Sequence, residues 1–134
     1  MIVETDDTLP VRTSDDVVRV RQAVRARAVA AGFSLVDQTK IITAASEIAR
    51  NTVDYGGGGS MRVETLRNGQ RHGVRLTFTD QGPGIADMKL AMTDGYTSGQ
   101  GLGLGLSGAK RLVNEFNITS APGQGTIVTL ARWK

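Results

Sequence analysis

The sequence predicts an α+β fold, a two-layer sandwich in which one sheet is covered on one face by helices. Two stretches, 17–28 and 41–49, place apolar residues at helical spacing. Two pairs of alternating segments, 61–66 with 74–79 and 117–120 with 126–133, are each joined by turn residues and read as hairpins. Between the hairpins lies 80–108, DQGPGIADMKLAMTDGYTSGQGLGLGLSG, with eight of the chain's seventeen glycines. Such a run is poor core material. It suits sharp turns, or the close approach of another group to bare backbone.

Taken in order, residues 8–13, TLPVRT, read as a short edge strand with Pro10 where a ladder N–H can be spared. Ser14 offers an N-cap, Asp15 and Asp16 suit the positive end of a helix, and Val17, Val20, Val24 and Ala28 form its apolar stripe. Gly32 is placed to stop that helix. Ser34 and Asp37 resemble a capping box for a second helix, whose inner face is Ile41, Ile42, Ala45, Ile48 and Ala49. Glu47 and Asn51, four apart, project from one face, with Asp54 three further on. Tyr55 and the run 56–59 end this helix. Asn68-Gly69 turns the first hairpin, and its second strand ends at Asp80. After the glycines, Leu104, Leu106, Ala109, Leu112, Val113 and Phe116 read as one face of a third helix, 104–116. Residues 121–125, APGQG, turn the last hairpin.

Composition excludes several classes. At 134 residues, with 40 % hydrophobic and 22 % charged residues, the chain suits one domain with one core, spanning 1–134. No apolar run approaches the roughly 20 residues that cross a bilayer. The start, MIVETDDTLP, carries acids where an export signal needs bases, and there is no cysteine, so the expectation is a cytoplasmic protein away from membranes. A lone histidine, His72, argues against a histidine metal cluster or a Ser-His-Asp triad. The arginines at 19, 21, 25 and 27 spread around their helix, and 4 % aromatic content leaves few stacking platforms, so no nucleic-acid partner is expected.

The glycine run invites comparison with known phosphate loops. Residues 103–108, GLGLSG, match G-x-G-x-x-G, but no strand directly precedes them and no acid lies about 20 residues on, as a dinucleotide fold requires. Gly108-Ala-Lys fails the Gly-Lys-Ser/Thr of a Walker loop, and the HRD and DFG of a eukaryotic kinase are absent. A loop of free N–H groups leading into a helix N-terminus remains suited to anions.

Four short patterns occur in order: Glu47-Ile-Ala-Arg-Asn51, Asp80-Gln-Gly-Pro-Gly84, Gly101-Leu-Gly-Leu-Gly105 and Gly125-Thr126. Together they resemble the ATP-binding domain of the GHKL superfamily, the Bergerat fold, over the whole chain. More narrowly, SEIARN, DQGPGI, DGYTSGQGLGLGL and GAKRLVNEF resemble the serine/threonine switch kinases of the stressosome, near the anti-sigma-factor kinases.

The resemblance implies a mixed sheet and a Mg-ATP site. Asp80 would accept from the adenine amine, with Gly82, Gly84 and Ile85 in the turn beneath the base and Thr126 reaching it through water. Asn51 would coordinate Mg²⁺ and Asp54 would line the pocket. Gly99, Gly101, Leu102, Gly103, Leu104 and Gly105 would form a lid over the phosphates, and Glu47 would be the general base. Histidine kinases bring a phosphoacceptor hairpin, and the gyrase, chaperone and mismatch-repair ATPases bring further domains; neither is expected here. The implied acceptor is a Ser or Thr of a STAS-domain antagonist or scaffold, with a PPM-type phosphatase activated on release. The alternative is an anti-sigma factor that sequesters a sigma factor and phosphorylates an anti-anti-sigma factor.

Overall fold

The computed structural model describes residues 1–85, 92 and 106–134. The elements run β1 (Ile2–Val11), α1 (Ser14–Ala30), α2 (Leu35–Asp54), β2 (Gly59–Asn68), β3 (Arg71–Asp80), α3 (Leu106–Arg111), β4 (Glu115–Ser120) and β5 (Thr126–Trp133). The five strands form one sheet in the order β1-β2-β3-β5-β4, and the helices pack on one of its faces. Every described pairing is antiparallel, so the expected mixed sheet is corrected: hairpins and returning connections join all neighbours.

The strand at the edge is longer than 8–13. It begins at Ile2, although Glu4, Asp6 and Asp7 break any apolar alternation. These acids are placed by partners distant in sequence: Asp6 accepts from Arg62 Nε at 2.9 Å, and Asp7 pairs with Arg27. The α1 cap also shifts by one residue. Thr13 is extended, accepts from the Asp16 N–H, and leaves its own N–H for the Asp16 carboxylate, so the complete capping box sits here. At α2 only half a box forms. Ser34 accepts from the Asp37 N–H, while the Asp37 carboxylate is taken by Arg132 at 2.6 Å.

The first hairpin turns on Gly69 and Gln70, with Asn68 paired to Arg71 and φ of +64° at Gly69. Gly at the first central position is the type II′ pattern, so Asn68 flanks the turn instead of sitting within it. The third helix is shorter than 104–116, ending at Arg111. Asn114 has joined the sheet: its N–H donates to the Ala131 carbonyl and its side-chain oxygen accepts from the Trp133 N–H. Phe116 therefore lies on β4, opposite Leu130.

The core lies between sheet and helices. Met61, Val63, Leu76, Phe78 and Leu130 meet Val20, Val24, Ile41, Ala45 and Ile48, all almost fully buried. On the other face, which no described helix covers, Glu64 is 2 % exposed beneath the paired donors of Arg75 at 2.9 and 3.0 Å.

Arg132 ties three elements together, reaching Asp37 at the start of α2 and the Leu112 carbonyl just past α3 from its place on β5. The Arg132 hydrogen bond holds the Asp37 carboxyl below the usual carboxylate range. Because the folded value is depressed, this stabilisation is complete above the unfolded value of about 4 and is lost as pH falls through the lower folded value. Asp37→Asn is expected to cost about 1–2 kcal/mol at neutral pH. In thermal melts across pH, the gap from wild type should close on acidification below about pH 4.

Candidate nucleotide site

One row of cross-strand partners builds the polar end of the site. Gly59 of β2 faces Asp80 of β3, Asp80 faces Thr126 of β5, and Thr126 faces Ser120 of β4. Alternation along β3 puts Asp80 on the same face as Leu76 and Phe78, so its side chain points toward the helices at the rim of the core. Beside it a narrow cleft runs between α2 and the sheet, walled by Ile48, Asn51, Ile85, Leu106, Ile118 and Val128, with Asp80 and Thr126 as polar members. An apolar slot with a few converging polar groups suits a flat, partly polar ligand.

The geometry around Asp80 depends on missing side chains. A Cβ on Gly56 would stand 2.4 Å from the Asp80 Cγ, and one on Gly82 would stand 2.7 Å from the Gly56 Cα. The Gly82 N–H donates to Asp80 Oδ1 at 2.9 Å, turning the chain sharply under the carboxylate. Gly84 has φ of +76°, and its carbonyl accepts from the Tyr55 hydroxyl at 3.0 Å. Ile85 then buries its side chain in the core while its N–H reaches Ser120 Oγ at 2.8 Å.

Helix α2 presents Glu47 and Asn51 one turn apart, both half-buried. Asn51 lines the cleft; Asp54 is exposed near the end of the helix and is not one of the cleft's walls. The structure thus brings Asn51, Asp80, Ile85 and Thr126 together around one slot, with Gly82 and Gly84 in the adjoining turn. Gly99, Gly101, Leu102, Gly103, Leu104 and Gly105 lie outside the described residues. So does the start of the expected phosphate-binding helix. Among the described residues no cluster of three His, Cys, Asp or Glu forms a metal cage. Sequence reasoning missed Tyr55, Gly56 and Ser120. Gly56 was legible only as a helix stop, because its contact with Asp80 spans 24 positions of chain.

Comparison with known proteins defines the class. The pattern of the family described as "Histidine kinase-, DNA gyrase B-, and HSP90-like ATPase" matches residues 36–134, and the chain belongs to that family. Within it the chain is RsbT-like. The serine/threonine-protein kinase RsbT of Bacillus subtilis (strain 168) is 42 % identical over 123 residues, covering 92 % of this chain and 92 % of that protein. The anti-sigma F factor of Pasteuria penetrans is 30 % identical over 125 residues, covering 89 % of this chain and 83 % of its own. Among solved structures, the RsbU and RsbW domains of Rv1364c from Mycobacterium tuberculosis align with a TM-score of 0.66 at 22 % identity, covering 97 % of this chain but 33 % of that one. The mycobacterial sensor histidine kinase MprB aligns at 0.56 and 19 % identity, covering 96 % and 97 %. At such identities the structures bear on fold alone. They share the sandwich, so the expected fold class holds. The enzyme class expected from the sequence is also that of the RsbT relative. No described helix is long and apolar enough to cross a membrane.

The tight contact at Gly56 yields a direct expectation. Gly56→Ala should push the Asp80 carboxylate aside and lower affinity for an adenine nucleotide by at least about tenfold, the loss of one well-placed hydrogen bond. Isothermal calorimetry measures this, with a thermal melt to separate it from unfolding.

Proposed function

We propose that the chain is a single-domain, Mg-ATP-dependent protein serine/threonine kinase of a cytoplasmic partner-switching module. Its substrate is a Ser or Thr of a STAS-domain antagonist or scaffold, and on release it activates a PPM-type phosphatase. The observation that carries this reading is a buried acceptor at Asp80 and an amide at Asn51 on one cleft, with a carboxylate at Glu47 one turn before that amide on α2.

The residues fit the nucleotide. Asp80 can accept from the exocyclic amine of adenine, and the side-chain-free floor at Gly56 and Gly82 gives the carboxylate its place. They also fit the metal. Mg²⁺ is commonly bound by one or two protein oxygens plus substrate phosphates, and the Asn51 amide oxygen is a hard ligand of that kind. When bound, Mg²⁺ would neutralise charge on the phosphates and hold them in register. Glu47 takes the proton of the attacking hydroxyl as its oxygen bonds to the γ-phosphorus; the bond to the β,γ-bridging oxygen breaks and ADP leaves. General-base action of this kind contributes about 10²–10⁴-fold. The lid glycines, 95–105, are proposed to supply backbone N–H groups to the phosphates.

The 30 % identity to an anti-sigma F factor supports a second reading, in which the chain sequesters a sigma factor and its kinase activity serves release. Affinity capture from the native lysate separates the two: a STAS protein with a phosphatase supports the first, a sigma factor the second.

Two variants test the chemistry with radiolabelled ATP and a cognate STAS protein. Glu47→Gln should cut transfer by about 10²-fold or more while the dissociation constant of Mg-ATP stays close to wild type. Asp80→Asn should weaken binding itself, because its amide presents a donor where an acceptor is needed. Undiminished transfer by the Glu47 variant removes it as the base, and an unaltered dissociation constant for the Asp80 variant removes the adenine assignment. Chelation of Mg²⁺ should stop transfer in the wild type, and addition of Mg²⁺ should restore it.

A further inference from the structure

Ser120 stands at the centre of a hydrogen-bond arrangement that the nucleotide motifs do not include. Its Oγ lies 2.8 Å from the Ile85 N–H, 3.0 Å from the Gly125 carbonyl and 2.9 Å from Thr126 Oγ1. The directions of these bonds follow from the groups. A backbone N–H can only donate, so Ser120 accepts from Ile85. A carbonyl can only accept, so the single hydroxyl proton of Ser120 goes to Gly125. The bond to Thr126 must therefore be donated by Thr126. That commits the only proton of the Thr126 hydroxyl to Ser120 and leaves lone pairs for any other partner.

Thr126 lines the cleft opposite Asp80. An ionised carboxylate is also acceptor-only. The polar end of the slot thus offers acceptors from two strands and no side-chain donor from either. We propose that Ser120 is a positioning residue for base selection: by taking the Thr126 proton, it makes Thr126 an obligate acceptor and excludes purines that carry a 6-oxo group. Were Thr126 free to rotate, its hydroxyl would offer a proton directly to such an oxygen and soften the selection made by Asp80. With Ser120 present, Thr126 can accept from a 6-amino group or from a water but cannot itself donate to a 6-oxo group. The same serine ties Ile85, at the end of the turn under Asp80, to the β4–β5 hairpin, so the two acceptors share one mechanical reference. This inference rests on the nucleotide reading above and deepens it.

The test compares Mg-ATP with Mg-ITP, in which a 6-oxo group replaces the 6-amino group and N1 carries a hydrogen, by calorimetry on the full chain without any protein substrate. Wild type should favour ATP. Ser120→Ala should narrow the ATP:ITP affinity ratio by about tenfold, the worth of one hydrogen bond, and Ser120→Thr, which keeps the hydroxyl, should restore it. An equal loss for both nucleotides in Ser120→Ala would make Ser120 a structural staple and overturn the proposal. If that variant melts below the assay temperature, Thr126→Val decides: an obligate acceptor predicts weaker ATP binding with ITP unchanged or tighter, whereas equal weakening of both overturns the proposal. ATP binding in wild type with an unaltered ratio in Ser120→Ala sinks this inference alone. Absence of nucleotide binding by wild type sinks the kinase reading and this inference together.

Discussion

A carboxylate held 9 % exposed at the end of a central strand, with no cationic partner among the described residues, is the constraint on which this end of the molecule depends. Burying an ionised group without a counter-charge is costly unless hydrogen bonds replace its water. Asp80 accepts one such bond from the Gly82 N–H, and the residue lines the cleft. Its surroundings are shaped to permit this. Gly56 passes so close that any side chain there would displace the carboxyl, and Gly82 packs in turn on Gly56. A fold selected for stability alone would place an apolar residue at the end of β3, in continuation of Leu76 and Phe78. The polar group is retained against that gradient, as expected where binding and not packing decides the residue.

The rest of the site inherits its precision from the core. Helix α2 carries Ile41, Ala45, Ile48 and Ala49 on the side that packs against the sheet, and Glu47 and Asn51 on its flank. Moving either side chain relative to Asp80 therefore requires α2 to slide over a close-packed interface, which tolerates little displacement. Both ends of the helix are also tied down. Arg132 reaches Asp37 in the first turn, and Tyr55, just past the last, donates to the Gly84 carbonyl in the turn beneath Asp80. The first tie anchors α2 to β5 and the second anchors it to the turn beneath Asp80, so the cleft is braced from two directions.

Periodicity made the helix faces legible: Val17, Val20, Val24 and Ala28 are buried as their spacing implies, as are Ile41, Ile42, Ala45, Ile48 and Ala49. The last strand was readable to the residue from its alternation. What escaped was determined by partners far along the chain. Ile2 to Asp7 join the edge strand where Arg62 and Arg27 donate to their acids, and no local propensity carries that information. Leu112, Val113 and Phe116 keep a helical rhythm beyond α3, but the sheet bonds of Asn114 outcompete it. The same holds in the site. Asn51, Asp80 and Thr126 were legible through the ordered motifs, whereas Gly56 and Ser120 belong to no motif and acquire meaning only when the α2–β2 connection meets β3 and β4 meets β5.

The division between chemistry and partner choice follows from where the similarities lie. The family pattern begins at residue 36, inside α2, and runs through every element that walls the cleft. It omits β1 and α1. The likeness to RsbT covers 92 % of the chain and so must reach back into that preceding part. Residues that cradle a purine answer to the shape and donor pattern of the purine, which is the same for a kinase that modifies a scaffold and for one that sequesters a sigma factor. Selection among protein partners has to use surface outside the slot, and α1 offers a different kind of surface: an inner stripe committed to the core, and an outer side where Val18 and Val29 remain exposed among arginines. The two functional readings therefore diverge in physical terms on the exterior of the sandwich, while the pocket that would power either of them is one and the same.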